Sequence, residues 1–527
     1  MLYFSLMKHL STIEIWIYYL TVFITGTAVL IIEIAAVRQL TPIFGGSIYV
    51  LSSVLSVILL ALSVGYFFGG RLADRFPTHN ILYFIITTSG LSLLLLQLFE
   101  KIYLPYFNIS SIISGPLIIA FIFFFIPAVL LGMDSPYVIK LITSKSVDNE
   151  SGKYVGTTFF WSTIGSITGS LSAGFWLIPN IGVQSSITYT ALLLVILGIV
   201  FPIFLSGKDF YKYILSNLLY IVFVIIFTAF IIQQIKLADK PDVGILFKTD
   251  GLYSQIIVKE TSYDRKPAIS LWRDLNNSSA IFLDSYEHVF AYSQFMDLYD
   301  VLVNKPNNFL LIGGGAYTIP RRLVAIDSEI NIDVVEIEPV LFELAQKYFD
   351  LSDTERINNY VGDARIFLNQ TENKYDVIFS DVFNTSFTAP WQLSTIEFYN
   401  DIKEVLNPGG VMLLNYIGGV DTNPRNMTST FLNTIQLSFP YVEMYHSQTL
   451  EENQLQNIIF IVSLSPINTD EIADFEINTK NNGSLTLEEL RIDTSRFSSD
   501  DRGVFTDDKA PVELLMRRQV QKYQSVI

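Results

Sequence analysis

The sequence contains no cysteine among its 527 residues. This absence excludes disulfide bonds, a thiolate nucleophile and any zinc site that uses cysteine ligands. Histidine is also scarce, and the four residues of this type show none of the spacings that metal ligands share: His9, His79, His288 and His446. We therefore expect the protein to hold no metal ion.

Basic residues are fewer than acidic ones, 34 against 50, and the formal net charge is −16. The imbalance lies in the C-terminal part, because residues 1–235 carry ten basic and eight acidic side chains and the remainder carries 24 and 42. We expect no nucleic-acid partner, since such binding depends on Lys and Arg neutralising phosphates. The acidity suits a cationic small substrate, although acidic surfaces more often serve solubility.

Long apolar runs dominate the first 240 residues, and the mean hydropathy of the chain is +0.41. Seven runs reach the length that spans a bilayer as a helix: 15–37, 48–70, 81–99, 113–133, 155–178, 183–205 and 212–235. We predict a transmembrane domain of about seven helices over residues 1–240, with the lipid bilayer as its partner. Gly165 and Gly169 have the GxxxG spacing that permits close helix packing, and ordinary packing is the interpretation we favour.

The pattern changes after residue 240. Short alternating runs over residues 241–300 predict a small β-subdomain, with strands at Tyr253–Glu260, Ala268–Arg273 and Ser279–Asp284. Strands and helices alternate over residues 301–465, which predicts an α/β Rossmann-like domain of the methyltransferase type. Residues 466–527 are polar and irregular, and we treat them as a C-terminal extension. The predicted architecture is an N-terminal multi-span α-helical membrane domain followed by these parts.

A glycine-rich loop follows the first strand of the Rossmann-like domain, in Phe309-Leu-Leu-Ile-Gly-Gly-Gly-Ala316. Gly313 and Gly315 allow the backbone to approach a ligand closely before the next helix begins. Glu336 ends the second strand about 20 residues further on, where an acidic residue binds ribose hydroxyls. Glu338 alternates to the same side of that strand and is a rival for the role.

Two more strands of this domain end in aspartates, Asp363 after the third and Asp381 after the fourth. An open parallel α/β sheet binds its ligand at the carboxyl ends of its strands. Asp363 suits an adenine amino group, or alternatively caps the helix that follows it. Asp381 suits proton abstraction from an attacking amine, or alternatively caps its own loop. With Glu336 and the glycines, these acids predict a nucleoside pocket.

Several segments together resemble the polyamine aminopropyltransferases, the family of the spermidine synthases. They are Leu310-Leu-Ile-Gly-Gly-Gly315, Val335-Glu-Ile-Glu-Pro339, Gly362-Asp-Ala-Arg365, Tyr375-Asp-Val-Ile-Phe-Ser-Asp381 and Pro408-Gly-Gly-Val411. The lead-in from Leu283 to Tyr292 also fits the family. One branch of the family has a multi-span region before the synthase-like domain. The segment Thr388-Ala-Pro-Trp-Gln-Leu-Ser-Thr395 is similar to the loop after the fourth strand in that branch.

The resemblance implies roles for individual residues. It implies that Glu336 binds the ribose, that Asp363 binds the adenine and that Asp381 is the catalytic base. The adjacent Ala364 is a further cofactor-binding candidate. Tyr292 is implied to lie beside the substrate. The family's donor, decarboxylated S-adenosylmethionine or S-adenosylmethionine, is a co-substrate, so we expect no tightly bound cofactor. The resemblance also implies a small amine or polyamine as acceptor and a homodimer.

Three positions depart from the resembled family. Soluble synthases have an acid directly after the glycines, where this chain has Ala316, and a second acid three residues after the catalytic one, where it has Asn384. The glutamine expected after the pocket tyrosine is Ser293. Each lost carboxylate removes charge-assisted hydrogen bonds worth about 1.5–3 kcal/mol. Asn384 stays a substrate-binding candidate, and polyamine binding requires a replacement acid such as Glu338 or Glu397.

The function that we predict is that of a membrane-bound polyamine aminopropyltransferase, a transferase that uses decarboxylated S-adenosylmethionine and an amine. One alternative is an S-adenosylmethionine-dependent methyltransferase. Another is a polyamine transporter or sensor whose synthase-like domain only binds ligand. The segment Gly65-Tyr-Phe-Phe-Gly-Gly-Arg-Leu-Ala-Asp-Arg75 also resembles a cytoplasmic loop motif of major-facilitator transporters.

Loop charges and chemistry disagree about the side of the membrane on which the C-terminal domain lies. Basic residues concentrate in alternate loops, which are cytoplasmic by the positive-inside rule: Lys8, Arg71, Arg75, Lys140, Lys145, Lys153, Lys208 and Lys212. Seven crossings from that side leave the C-terminal domain outside, away from the cytosolic nucleoside pool. Either one run does not cross, or an additional crossing is missed, or the domain faces outward. We favour a run that does not cross, and expect a multi-pass protein of the cell membrane with a cytoplasmic catalytic domain.

Overall fold

The computed structural model describes residues 11–103, 114–144, 151–238, 243–352, 354–382, 390–420, 422–423, 425–448, 450–451, 454–479, 483–497 and 503–524. The chain divides into two compact units, Met1–Asp242 and Val243–Ile527. Each unit has its own hydrophobic core.

All regular secondary structure in the described part of the N-terminal unit is helical. Its α-helices are α1 (Thr12–Phe44), α2 (Ile48–Arg75), α3 (His79–Tyr103), α4 (Ser114–Gly132), α5 (Asp134–Thr143), α6 (Ser151–Ser172), α7 (Ile178–Ile181), α8 (Val183–Leu205) and α9 (Phe210–Ala238). A π-helical turn, Ala173–Leu177, joins α6 to α7. Many large apolar side chains on the outside of these helices remain exposed, as expected of helices that face lipid.

Six helices in the described ranges are long and apolar enough to cross a membrane: Thr12–Phe44, Ile48–Arg75, His79–Ile102, Ser114–Thr143, Val183–Leu205 and Phe210–Ala238. They are compatible with a multi-pass membrane protein. By length and hydropathy, the described helices therefore give six candidate membrane spans rather than the predicted seven. The run near 155–178 does form helix α6 and the π-helical turn, but its many Gly, Ser and Thr residues lower its hydropathy.

Helix α6 packs closely against α1. A Cβ atom on Gly165 would lie 2.1 Å from the carbonyl oxygen of Phe23, and one on Gly169 would lie 2.3 Å from that of Thr27. The Thr27 hydroxyl donates a 2.9 Å hydrogen bond to the carbonyl oxygen of Gly165. The GxxxG spacing therefore serves helix packing, as the sequence predicted, and the two helices run in the same direction.

The C-terminal unit contains three sheets within its described residues. The first is antiparallel in the order β1-β2-β3-β4. Its strands are β1 (Ile245–Asp250), β2 (Gln255–Tyr263), β3 (Lys266–Arg273) and β4 (Asn276–Phe282). The small β-subdomain predicted for this region is present, and β1 is a strand that the sequence pattern did not indicate.

The second sheet has eight strands in the order β14-β10-β11-β9-β8-β5-β6-β7. The remaining strands are β5 (Asn308–Ile312), β6 (Asn331–Glu336), β7 (Ile357–Val361), β8 (Tyr375–Ser380), β9 (Leu406–Gly418), β10 (Tyr441–His446), β11 (Gln456–Ser463), β12 (Glu476–Thr479), β13 (Gly483–Thr486) and β14 (Arg491–Ile492). Strands β5 to β9 pair in parallel, and β11 is antiparallel to β9 and β10. This is the methyltransferase-type Rossmann-like arrangement expected from the sequence. Strands β12 and β13 form the third sheet, a hairpin.

Helices cover both faces of the large sheet. They are α10 (Ala291–Gln294), α11 (Tyr299–Leu302), α12 (Thr318–Ile326), α13 (Leu341–Tyr348), α14 (Ala364–Gln370), α15 (Ile396–Val405), α16 (Met427–Ser438), α17 (Thr469–Ile472), α18 (Leu487–Leu490) and α19 (Val512–Gln524). Strand β5 is apolar on both faces: Phe309 and Leu311 join one core, and Leu310 and Ile312 join the other. Residues of the C-terminal extension, β14 and α19, complete the sheet edge and the second core.

Candidate active site

The site lies at the switch point of the large sheet. Strand β5 pairs with β6 on one side and with β8 on the other. The strand order therefore reverses at β5, because the chain first adds β6 and β7 on one side of it and then β8 and β9 on the other. Ligands of open α/β sheets bind beyond the strand ends at this point. Gly313 follows β5 and Asp381 follows β8, and the N–H of Asp381 donates a 2.9 Å hydrogen bond to the carbonyl oxygen of Ile312.

The glycine loop is folded tightly around Glu336. Gly313 has φ +90° and Gly315 has φ +53°, conformations that side-chain-bearing residues rarely adopt. The N–H groups of Gly314 and Gly315 donate to Oε2 of Glu336 at 2.9 and 3.0 Å. Oε1 of Glu336 accepts a 2.9 Å bond from the N–H of Glu338. The structure thus brings the predicted glycines and the predicted ribose-binding acid together.

Glu338 points to the small β-subdomain. Its carboxylate accepts hydrogen bonds of 3.0 and 2.9 Å from the N–H groups of Leu252 and Tyr253, in the turn between β1 and β2. The side chain is buried. Glu338 therefore fixes this turn rather than competing with Glu336 at the loop.

Asp363 caps helix α14. Its Oδ1 accepts from the N–H groups of Arg365 and Ile366 at 2.8 and 3.3 Å. The helix-capping interpretation of Asp363 is thus confirmed. Ala364 begins the helix and is buried.

Asp381 is held by two side chains. Asn415 donates a 2.8 Å hydrogen bond to Oδ1, and the hydroxyl of Tyr292 donates a 3.1 Å bond to Oδ2. Burial raises the pKa of the Asp381 carboxyl, and these two hydrogen bonds oppose the rise. Burial and the neighbouring Asp381 charge raise the pKa of the Tyr292 phenol well above its ordinary value, so it stays a donor. A carboxylate fixed in this way suits the role of a general base.

A chain of amides extends from Asp381. Asn457 donates a 2.8 Å hydrogen bond to Oδ1 of Asn415, and Gln448 donates a 3.1 Å bond to Oδ1 of Asn457. None of these three residues was among the candidates predicted from the sequence. A signal was available, because Asn415 interrupts the apolar run of β9 and is buried there.

Asp381 opens into a cavity of about 210 Å³ between the small β-subdomain and the large sheet. Its walls include the glycine loop, Tyr292, the amide chain and residues of β3 and β4: Arg273, Asn277, Ser278, Ser279, Phe290, Tyr292, Gly313, Gly315, Asp381, Asn415, Ile417, Gln448 and Asn457. A larger cavity of about 630 Å³, around His288, Asp297 and Arg322, shares none of these residues. Because it contains none of the strand-end acids, we place the chemistry in the smaller one.

Arg273 is a charged wall residue that the sequence analysis missed. It ends β3, is 7% exposed, and its Nε donates a 3.3 Å hydrogen bond to the Ser254 hydroxyl. Its positive charge lowers the pKa of Asp381. The basic side chain therefore lies within electrostatic reach of the candidate base.

The positions that depart from the resembled family differ in their surroundings. Ala316 is buried, and its N–H donates a 3.3 Å hydrogen bond to the Ser279 hydroxyl. Ser293 is buried and donates to the carbonyl oxygen of Phe290. Asn384 lies outside the described residues.

Glu397, a candidate replacement acid, accepts a 3.0 Å hydrogen bond from the N–H of Asp507 and is absent from the cavity wall described above. Glu338 is engaged at the β1–β2 turn. Neither of the two predicted substitutes thus supplies a carboxylate to the cavity.

No group of three or more His, Cys, Asp or Glu residues arranged to hold a metal ion is found in the described part of the chain.

Comparison with known proteins bears on this site. Residues 290–467 match the family described as the spermine/spermidine synthase domain. A probable polyamine aminopropyl transferase of Bifidobacterium longum is 29% identical over 233 residues, which are 41% of this chain and 50% of that protein. Polyamine aminopropyltransferase 1 of Streptomyces coelicolor is 22% identical over 75% of this chain and 74% of its own. An N-terminal histidine N-methyltransferase of Emericella nidulans is 32% identical over 28% of this chain and 26% of its own.

A probable spermidine synthase from Corynebacterium glutamicum has a TM-score of 0.40 and 22% identity, covering 50% of this chain and 96% of that one. This chain spans about half the length of the Bifidobacterium relative. The C-terminal region of this protein is therefore similar to the spermine/spermidine synthase domain and to several proteins named polyamine aminopropyltransferases.

Proposed function

We propose that the protein is a membrane-bound transferase that moves an aminopropyl group from decarboxylated S-adenosylmethionine to an amine. The observation that carries this proposal is Asp381, fixed by Tyr292 and Asn415 at the switch point and facing a cavity next to the glycine loop. The homology of the surrounding domain to aminopropyltransferases supports it.

The proposed reaction is a direct displacement at carbon. The neutral amine nitrogen of the acceptor forms a bond to the propyl carbon, the carbon–sulfur bond breaks, and the sulfonium leaves as a neutral thioether. The nitrogen then carries a surplus proton, which Asp381 accepts. A raised pKa brings the carboxylate closer in basicity to its task, while the hydrogen bonds from Tyr292 and Asn415 keep its oxygens oriented.

Glu336 and Asp363 are assigned to the nucleoside of the donor. A carboxylate oxygen has two acceptor positions, so Oε1 of Glu336 can accept from a ribose hydroxyl as well as from Glu338. Oδ1 of Asp363 serves the helix cap, and we assign its other oxygen to the adenine amino group. Gly313 and Gly315 leave the room that the sulfonium side of the donor needs.

The six apolar helices support attachment to the membrane. Because the donor is a cytosolic metabolite, we propose that the C-terminal unit faces the cytosol. Homodimer formation stays a prediction from the resemblance.

A second candidate is an S-adenosylmethionine-dependent methyltransferase with the same nucleoside site. The positive charge of Arg273 in the cavity wall favours it, because S-adenosylmethionine carries a carboxylate that the decarboxylated donor lacks. The stretch that is similar to a histidine N-methyltransferase is a further reason to test it.

The test uses detergent-purified full-length protein, both sulfonium donors and a panel of amines, with mass spectrometry of the products. We expect an alkylated amine from the wild type. We expect none from Asp381→Asn, which should still bind donor, and unchanged turnover in Asp470→Asn, a matched change at an exposed helix start. Full turnover by Asp381→Asn contradicts the assignment, and absence of binding to either donor contradicts the whole proposal.

A further inference from the structure

Asp134 is a carboxylate inside the N-terminal unit that the proposed transfer reaction does not use. Its side chain is completely buried. Neither of its oxygens has a hydrogen-bond partner of normal geometry among the described residues, although the hydroxyl of Thr25 lies beside it. A buried carboxylate without such a partner is costly as an anion, and a group in this position takes up a proton instead. Asp134 is therefore placed to hold a proton.

Asp134 lies at an interruption in a candidate membrane span. Helix α4 ends at Gly132 and α5 begins at Asp134, within the apolar segment Ser114–Thr143. Pro136 has no N–H group, so it cannot donate the helical hydrogen bond that the carbonyl oxygen of Gly132 would otherwise accept. The discontinuous helices of many transporters form their ion sites. The position of Asp134 fits that pattern.

A row of hydroxyl groups leads along α1 toward Asp134. Four polar residues of this helix are four, three and four positions apart, which puts them on one face: Glu14, Tyr18, Thr21 and Thr25. Tyr18 and the two threonines are buried, and Glu14 lies in the first turn of the helix. Both threonine hydroxyls donate to backbone carbonyl groups of α1, so their oxygens can still accept from another donor.

Tyr83 on α3 connects this face of α1 to Asp134. Its hydroxyl is hydrogen-bonded to the hydroxyl of Thr21 at 2.9 Å. Tyr83 also lies within electrostatic reach of Asp134 and of Tyr18, and Tyr18 lies within reach of Glu14. The hydroxyl row, as we name this set, consists of Tyr18, Thr21, Thr25 and Tyr83. Because α1 is long enough to cross a bilayer, its first turn lies at a membrane surface, and the row extends inward from there.

The helices around α5 bring no charge to Asp134 among the described residues. Helices α1, α2, α3, α4 and α6 contact α5. The titratable side chain that faces Asp134 from α3 is Tyr83, with Tyr18 of α1 beyond it. Lys140, the basic residue of α5 itself, is paired with Asp74 of α2 at 2.7 Å. Asp134 therefore has hydroxyl groups rather than a cation as its polar surroundings.

We propose that Asp134 is a proton-binding site of the N-terminal unit, loaded through the hydroxyl row from the membrane surface at which α1 begins. A hydroxyl group both donates and accepts, so each member of the row accepts a proton from its neighbour and passes its own proton on. The last transfer forms an O–H bond on the Asp134 carboxylate, and Glu14 takes the replacement proton from water. The net change is the movement of one proton from water to Asp134. Buried carboxyl groups serve in this way in the proton relays of pumps and transporters.

The first test uses infrared spectroscopy of the full-length protein in lipid vesicles. The C=O stretching band of a protonated carboxylic acid is separate from the bands of a carboxylate. We expect wild type to show this band at neutral pH, Asp134→Asn to lose that contribution, and Asp209→Asn, a matched change at an exposed position between α8 and α9, to retain it. If Asp134→Asn does not reconstitute, Asp134→Glu should shift the position of the band.

The second test measures how fast the Asp134 proton exchanges when the vesicles are mixed with D2O. Tyr83→Phe and Thr25→Val each remove one hydroxyl of the row while keeping most of the side-chain shape. We expect the band of wild type to shift on exchange, and the shift to be at least about tenfold slower in either variant, because proton transfer needs a positioned donor and acceptor. The controls remove exposed hydroxyls on α9 and α6, in Tyr211→Phe and Thr168→Val, and should exchange as wild type does.

Three results overturn the proposal. The first is an acid band that is absent from wild type or that Asp134→Asn retains in full. The second is exchange at the same rate in wild type, Tyr83→Phe and Thr25→Val. The third is loss of the wild-type band when sodium chloride is added at constant pH, which would assign the site to a metal cation instead. Failure of the proposed transferase activity would leave all of these spectra unchanged.

Discussion

The side-chain amide of Asn415 donates a 2.8 Å hydrogen bond to Oδ1 of Asp381. The two residues lie side by side on neighbouring parallel strands, because Asp381 directly follows β8 and Asn415 is part of β9. Asn415 in turn accepts from Asn457 on β11. The orientation of the candidate base is therefore determined by the large sheet itself.

Replacing Asn415 with Ala should move the acidic limb of the pH–rate profile to higher pH. The hydrogen bond from Asn415 lowers the pKa of Asp381, and a base must be deprotonated to act, so its loss means that activity falls at a less acidic pH. A hydrogen bond to a charged group is worth enough to shift the limb by about one pH unit. Steady-state rates across pH measure it, with Asn468→Ala at an exposed site as control. An unmoved limb contradicts the assignment of Asp381 as the titrating group.

Tyr292→Phe should also move the acidic limb of the pH–rate profile to higher pH, by a smaller amount than Asn415→Ala does. Its bond to Asp381 is longer, 3.1 Å, and its loss also removes one donor that lowers the pKa. The phenyl ring keeps its stacking on Phe290, so we expect the fold to persist. The comparison is Tyr441→Phe, an exposed position on β10. A shift to lower pH would show that Tyr292 acts in another way.

Gly313→Ala should destabilise the C-terminal unit and abolish donor binding. A Cβ atom at this position would lie 2.5 Å from the carbonyl oxygen of Asp381, and φ is +90°. Backbone strain of this type costs about 1–3 kcal/mol. Thermal melting and calorimetry measure the two effects. Gly362→Ala has no neighbour within 4 Å and should be tolerated; equal behaviour of the two variants would refute the steric argument.

Glu338→Ala should loosen the turn between β1 and β2. The substitution leaves the N–H groups of Leu252 and Tyr253 without their acceptor, at a cost of about 1–3 kcal/mol. Hydrogen exchange followed by mass spectrometry should show faster exchange in this turn. Glu343→Ala, at an exposed position of α13, should leave it unchanged. Protection that survives in Glu338→Ala would mean that other contacts fix the turn.

The residues at the strand ends could be predicted because the apolar run that each of them ends lies within a short stretch of sequence. Glu336 and Asp381 each end an apolar run, and a parallel sheet brings such ends together. Asn457 and Arg273 could not be assigned in this way, and the one local signal for Asn415 was that a polar residue interrupts the apolar run of β9. Each becomes meaningful only once β9, β11 and the small β-subdomain are placed around the cavity, and pairing across the sheet is a long-range property.

Helix α6 shows what hydropathy and residue spacing alone could not predict. Its GxxxG spacing was interpreted as a packing surface, but the partner helix, α1, could not be identified from the sequence, and apolar run length alone counted α6 among the spans. Composition gives the hydropathy of a segment but not what covers it, and α6 owes its place to contacts such as that between Gly165 and Phe23.

Glu338 holds its turn through the backbone N–H groups of Leu252 and Tyr253, so these two hydrogen bonds do not depend on which side chains the two residues carry. Substitutions of these two residues that preserve the backbone of the turn should therefore leave the link between the four-stranded sheet and Glu338 intact. Gly251, by contrast, cannot gain a side chain without displacing this carboxylate, because a Cβ atom there would lie 2.6 Å from Oε2 of Glu338.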